Sequence, residues 1–295
     1  MSVEQQDELF SRISAGGALT DAELAQLAAS HDILSLGALA DAVRGRIHGA
    51  RTTYVRVATC PWDKPIAEAV PPTAGEIRLT GQPPSIDAAL NAIRTARAVA
   101  GPRPVSGFSV RGLAMIAGAQ PLSEVFAGLR IAGFDMVAEV ALDGLPDAGD
   151  VVESLAAGGI EQIRLTIDSA PASERLPLFI RARALKERFP AIRAIHPLPL
   201  VMSAFKPTTG FDDTRSVALA RLAAPNIESV QVDWQRYGPK LAQVVLTFGA
   251  DDLDNVSPFD DDREGVRRTA AADVTRNIAA AGFTPAERDG RFLLR

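Results

Sequence analysis

The sequence is poorest in cysteine, with a single one, Cys60, in 295 residues. A lone thiol cannot close an internal disulfide, build a four-cysteine zinc site or hold an iron–sulfur cluster. Histidine is nearly as scarce: His31, His48 and His196 are far apart, with no HxxxH or HExxH pair. A histidine-rich metal site is therefore not expected, and no metal is assigned. Long apolar runs are missing too; none approaches the roughly 20 residues of a membrane helix. The N-terminal MSVEQQDELF is polar and acidic, unlike a signal peptide. The expected setting is the cytoplasm, with no membrane partner. Basic charge is also lacking: the net charge is −5 and the pI about 5.4, which speaks against a general nucleic-acid binder. Of the 31 basic residues only four are lysine, an excess of arginine that codon usage explains as well as function does. What is present, 47% apolar and 23% charged residues, is a normal globular balance with ample material for a core.

Residues 1–50 read as a helical extension. Thr20 to Glu23 form a capping-box pattern ahead of Leu24 and Leu27, and a second helix runs from about Ser35 to His48, stopped by Gly49. From residue 51 the signal alternates. Strands are predicted at 52–57, 76–81, 105–109, 135–142, 162–168, within 191–202, at 229–234 and at 241–248. Helices are predicted at 86–99, 122–131, 151–157, 172–188 (interrupted by Pro177), 214–223 and 263–281. Strand–helix alternation over about 200 residues implies a parallel sheet. Eight strand candidates fit a (β/α)8 TIM-type barrel better than an open doubly wound sheet. No GxGxxG follows a strand and no GxxxxGK[ST] loop occurs, so a dinucleotide or P-loop site is not indicated. Residues 51–295 are read as one structural unit. Its first βα connection is odd: the stretch from Ala58 to Gly75 is short and proline-rich, so the first crossover helix is expected to be eroded.

Two stretches carry a family resemblance. One is Asp32-Ile33-Leu34-Ser35-Leu36-Gly37-Ala38-Leu39-Ala40-Asp41-Ala42-Val43-Arg44, with His48-Gly49 and Thr53-Tyr54-Val55. The other is Val232-Asp233-Trp234, Gly238 to Gln243, Leu246 and Phe248 to Asp254. Pro197 to Leu200 and Ala281 to Asp289 add to it. Together they resemble the radical SAM enzymes of the futalosine route to menaquinone, the group of aminofutalosine synthase, cyclic dehypoxanthinyl futalosine synthase and the deazaflavin FO synthase. The resemblance implies a (β/α)8 barrel whose first strand is followed by a CxxxCxxC loop, three cysteines holding a four-iron cluster that binds S-adenosylmethionine. Here the sequence departs from the family, because Cys60 stands alone. The family's His- and Glu-rich end of strand five is replaced by Thr166-Ile167-Asp168-Ser169, and Asn255-Val256-Ser257-Pro258 replaces its Gly-Thr and acidic segment. A cluster needs three or more thiolates in one pocket. The expectation is a pseudoenzyme in which the scaffold is kept and the radical chemistry lost, with no cofactor.

Catalytic residues are not assigned. The residues proposed for a ligand are Arg56, Asp168, His196, Trp234, Gln243, Asp251 and Asp252. Trp234, Gln243, Asp251 and Asp252 are expected at or beyond the ends of the last two strands, on a barrel's ligand-binding rim. There a Trp face would stack a ring and a Gln would read its polar edge. Packing of Trp234 in the mouth and capping by the two aspartates are the alternatives. Arg56, Arg78, Arg164 and Arg236 lie in or beside strands, either clamping an anion or paired with Glu76, Asp168 and Asp233. His196 and Asp168 are candidate proton carriers or, more plainly, a core histidine and a helix cap. Cys60 reads as a relic or a small buried residue. His48 suits a helix C-terminus, and Asp260 to Asp262 a solvated run. Three functions remain open: an accessory protein binding a small aromatic or nucleoside-like ligand, a non-radical lyase or hydrolase, and a structural partner of an active paralogue or of a second copy.

Overall fold

The computed structural model describes residues 3–66, 70–144, 147–201, 207–260 and 271–295. Three helices come first: α1 (Val3–Ser14), α2 (Asp21–Ala29) and α3 (Ile33–His48). Thr20 caps α2 in a reciprocal box with Glu23, and Asp32 caps α3. Leu36, Leu39, Ala40 and Val43 of α3 are buried, so the extension adds to the core rather than dangling from it.

The barrel begins with β1 (Arg51–Pro61), which runs directly to β2 (Glu76–Thr80). No helix joins them among the described residues; a turn after Pro61 and the segment 70–75 fill the connection. Then follow α4 (Ile86–Ala100), β3 (Val105–Ser109), α5 (Val110–Ala117), α6 (Leu122–Ile131), β4 (Met136–Ala141), α7 (Ala148–Ala157), β5 (Ile163–Ile167) and α8 (Arg175–Arg188). The chain closes with β6 (Ile192–Pro199), α9 (Gly210–Ala223), β7 (Ser229–Asp233), α10 (Trp234–Leu246), β8 (Asp252–Val256), α11 (Ala271–Ala280) and β9 (Thr284–Arg288). All pairings between the named strands are parallel. β1 pairs β2 on one side and β8 on the other, which closes an eight-stranded barrel. The expected (β/α)8 TIM-type fold is thus observed.

The long β1 serves two neighbours in turn. Residues 57–61 pair β2, while 51–55 pair β9, so β9 occupies the row below β2 at the barrel floor. The sequence reading had no strand there.

Three other details depart from it. Residues 241–248, read as the eighth strand, lie largely in α10: Ala242, Val245 and Leu246 are buried at helical spacing. The eighth strand is instead 252–256, an acid-rich stretch of poor strand propensity that interior arginines stabilise. Pro177 interrupts nothing, because it falls in the first turn of α8, where no helical partner awaits its missing N–H. The last predicted helix is seen as α11; its first eight residues, with Asp261 and Asp262, lie outside the described residues. No helix among the described residues is long and apolar enough to cross a membrane.

Candidate functional site

Parallel partners share a sheet face, and contacts across the barrel show which face points inward. Arg78 on β2 binds Asp254 on β8 at 2.9 Å and Glu76 at 2.7 Å. Arg164 on β5 reaches Asp254 at 3.3 Å and Glu76 at 3.5 Å. Ser106 on β3 also donates to Glu76. Below them Arg288 of β9 holds Asp252 bidentately, with Thr53 and Gln231 donating to the same carboxylate. Three arginines and three carboxylates thus fill the lower barrel. Burial would raise the Glu76 and Asp254 carboxyls, but Arg78 and Arg164 outweigh it and hold both below the usual range.

This settles several expected roles by placement. Asp251 and Asp252 begin β8 and so lie at the floor, opposite the mouth where the sequence reading put them. Asp251 binds Arg221, Ser229 and the Val230 amide, with His48 Nε2 at 3.4 Å. Both carboxylates are spent on the scaffold. His48 thus joins the floor as well as ending α3. Arg56 lies on the outer face of β1 with Tyr54, binding the Pro258 carbonyl and Asp260, both at 2.8 Å. It fastens the segment after β8 beside the β1–β2 connection, where no crossover helix occurs among the described residues. An open cleft there is bordered by Arg56, Pro72, Thr73, Glu287 and Arg295, not by an apolar strip. Trp234 and Gln243 are brought together, but in a cleft of about 350 Å³ between α10 and α11, outside the barrel. Trp234 follows β7 directly and is buried, yet Gln243 sits two turns along a helix, because residues 241–246 are not a strand.

Asp168 and His196 do sit at the upper inner wall. Thr166 and His196 are register partners on β5 and β6, and Arg164 lies one inward step below Thr166. The register of β6 with β7 puts Gln231 beside His196. Glu139 on β4 faces the same space; burial raises its carboxyl, partly offset by Arg236 and Arg78. Burial likewise lowers the His196 imidazole, more than Asp233 and Asp254 raise it, so it is neutral at pH 7. His196 Nδ1 lies 3.3 Å from the Leu198 carbonyl, which fixes Nδ1–H as the donor and leaves Nε2 as an acceptor. Asp233 caps α10 through the Arg236 amide and accepts from Asn255 at 3.0 Å. Asn255 reaches it because its φ is +59°, a left-handed bulge in β8. On the rim, Arg111 stands 3.8 Å from Asp168, and Arg236 donates to the Leu200 carbonyl.

Several of these groups have no hydrogen-bond partner among the described residues: Thr166 Oγ1, His196 Nε2, Gln231 Oε1, Asn255 Oδ1 and Arg164 Nε. Sequence reasoning had named Asp168 and His196 here. It gave Glu139, Gln231 and Asn255 no role, since inward direction on a strand follows from register, not from residue type.

The cluster loop implied by the family resemblance does not fit these residues. Cys60 ends β1 buried, its Sγ 3.7 Å from the Ala58 carbonyl. Burial pushes its thiol up to about 11, so the free thiol is protonated at neutral pH. No group of three His, Cys, Asp or Glu placed to hold a metal ion occurs among the described residues.

Residues 198–295 match the family described as the CofH/MqnC C-terminal region. The chain is 32% identical over 90 residues to aminodeoxyfutalosine synthase of Streptomyces coelicolor, covering 28% of this chain and 23% of that protein. It is 34% identical over 94 residues to the 5-amino-6-(D-ribitylamino)uracil–L-tyrosine 4-hydroxyphenyl transferase of Archaeoglobus fulgidus, covering 28% and 26%. The match therefore spans about a quarter of these relatives' length. Among solved structures, the FeFe-hydrogenase maturase HydG superposes with a TM-score of 0.71 at 15% identity, over 97% of this chain and 76% of that one. Methylornithine synthase (PylB) gives 0.67 at 14%, over 94% and 97%. The expected relationship to aminofutalosine synthase and its radical SAM relatives is thus found, carried in sequence by the C-terminal part, with the whole barrel shared at the level of fold.

Proposed function

We propose that this chain is a paralogue of aminofutalosine synthase that lacks the cluster and serves the futalosine route as a ligand-binding accessory protein. One observation carries the reading. The position that should open the cluster loop holds the chain's single cysteine, buried and protonated, while the inner wall above the ion-pair floor keeps buried polar groups that have no hydrogen-bond partner among the described residues. The residues proposed to meet the ligand are Asp168 and His196, joined by Glu139, Thr166 and Asn255. The partner would be a nucleoside-like or aromatic small molecule.

The test is a ligand-shift melt on anaerobically prepared protein, with iron measured on the same sample. S-adenosylmethionine, aminofutalosine and a 3-substituted benzoate are the ligands. We expect no stoichiometric iron and a rise in Tm with aminofutalosine. A ligand at a hundred times its Kd adds about 2.7 kcal/mol to the native state. Stoichiometric iron, or cleavage of S-adenosylmethionine, would overturn the proposal. A second reading, a lyase or hydrolase, is favoured by one feature: a neutral imidazole and a raised carboxyl, His196 and Glu139, face the same interior. Turnover of aminofutalosine without iron would select it.

A further inference from the structure

At the floor side of the barrel, where β4 and β5 begin, a cavity of about 250 Å³ is lined by Arg97, Arg130 and Arg291 with Asp135, Glu161 and Gln162. It shares no residue with the site described above. The arginines come from three elements: the last turn of α4, the last turn of α6 and the segment after β9. Asp135 anchors two of them. It accepts from Arg97 at 3.2 Å, from Arg291 at 2.9 Å and from the Val105 amide at 2.8 Å. Arg97 also donates to the Gly101 carbonyl and Arg291 to that of Pro102, so both guanidiniums are held in place. Arg130 is different. It stands 3.7 Å from Asp135 and 4.0 Å from Glu161, too far for a hydrogen bond to either, and Glu161 is 79% exposed. Three guanidiniums therefore meet one well-held carboxylate and one that is mostly in solvent. Gly133 makes the room: its φ is +102°, and a Cβ there would lie 2.5 Å from Arg97 Cδ.

We infer that this cavity binds a phosphate group. Arg130 supplies uncommitted donors, and Arg97 and Arg291 supply fixed positive charge beside them. Guanidiniums reaching in from three elements suit a tetrahedral anion, whose oxygens point apart, better than a planar carboxylate with two. The volume far exceeds the roughly 10–15 Å³ that admits one water and falls below the roughly 300 Å³ at which pockets for drug-sized ligands begin. Helix C-termini ordinarily disfavour an anion, but here their carbonyls are taken. Gly128, Leu129 and Arg130 of α6 accept from the amides of Ala132, Phe134 and Gly133. At the end of α4, Arg103 covers the carbonyls of Val99 and Ala100, and Arg97 that of Gly101.

Isothermal titration calorimetry on the full chain in physiological salt tests it, with inorganic phosphate, ribose 5-phosphate and acetate as probes. Phosphate should bind saturably at one site, and acetate about tenfold more weakly. Arg130→Gln should fold with an unchanged Tm, because Arg130 donates no hydrogen bond among the described residues. It should weaken phosphate binding about tenfold, the scale of one hydrogen bond to a charged group. Arg130→Lys keeps the charge and should recover part of the affinity, which a merely structural loss would not show. Arg188→Gln, an exposed arginine outside the cavity, should change nothing. Ribose 5-phosphate binding at least as tightly as phosphate would assign the cavity to a phosphorylated small molecule, and weaker binding to the free ion; both uphold the inference. No saturable phosphate binding, acetate binding as tight as phosphate, or equal effects of Arg130→Gln and Arg188→Gln would overturn it. None of these results bears on the accessory-protein reading, which iron content decides.

Discussion

At Arg221 a fully buried guanidinium meets Asp251, the Gly249 carbonyl and the carbonyls of Ile227 and Glu228. The contact ties α9 to the turn before β8. Removing one partner of such a pair strands the other as an unpaired buried charge, at a cost of about 3–5 kcal/mol. Arg221→Met should therefore lower the urea midpoint sharply, and a loss below 1 kcal/mol would show that the pair is not needed. Cys60 is the opposite case. It makes no bond that folding depends on beyond packing, so Cys60→Ala should cost about 1 kcal/mol, the value of a small buried group. The native thiol should resist a disulfide reagent at pH 8 until the protein is unfolded, because it is buried and its thiol sits near 11. Rapid labelling of the folded chain would contradict the burial described above.

At the scale of elements, β3 packs on β2 so closely that a Cβ at Gly107 would lie 2.5 Å from the Leu79 carbonyl oxygen. Its φ of +154° adds to the restriction. Gly107→Ala should cost at least about 2 kcal/mol, the range for overpacking plus a strained backbone, measured as a drop in Tm; a neutral result would mean the two strands separate easily. The floor strand β9 is coupled to the barrel by charge as well as by pairing. Arg288 is the bidentate partner of Asp252, and a Cβ at Gly290 would come within 2.8 Å of Glu76 Oε2. Ending the chain at residue 283 would uncover Asp252 and the barrel floor. The expected outcome is a chain without a cooperative thermal transition, checked by calorimetry.

For the whole molecule, acid sensitivity should come in two stages. His196 is lowered in the folded state, so between its folded and ordinary values the unfolded chain binds the extra proton. Stability therefore rises with pH across that window, and it should fall by about 1.4 kcal/mol per pH unit as pH drops below about 6.5. His196→Gln should flatten this limb in a pH series of denaturant melts. Glu76, Asp254 and Glu23 are depressed instead, Glu23 to about 2 by Arg12 and the Thr20 cap. Their contribution is present above ordinary carboxylate values and disappears as pH falls through the folded ones. A steeper loss below about pH 4 is expected, and a single smooth decline would contradict the assignment.

Local chemistry determined much of this protein. The capping boxes, the alternation of strand and helix, and the missing crossover after β1 all follow from residues near one another in the chain. So does the lack of a CxxxCxxC run, since a count of cysteines needs no coordinates. The pairing of Arg78 and Arg164 with Glu76 was an alternative the strand pattern already contained. Tertiary structure alone decided which end of the barrel each residue occupies. Asp251 and Asp252 pass from expected rim to floor because the run 241–248 folds largely as a helix, with Ala242, Val245 and Leu246 buried at helical spacing. Asp252 and Asp254 form a strand because arginines from β2, β5 and β9 neutralise them inside, a long-range effect invisible in a five-residue window. Likewise Gln231 comes beside His196 only through strand register, and Asn255 reaches Asp233 from a left-handed residue; neither can be read before the barrel closes.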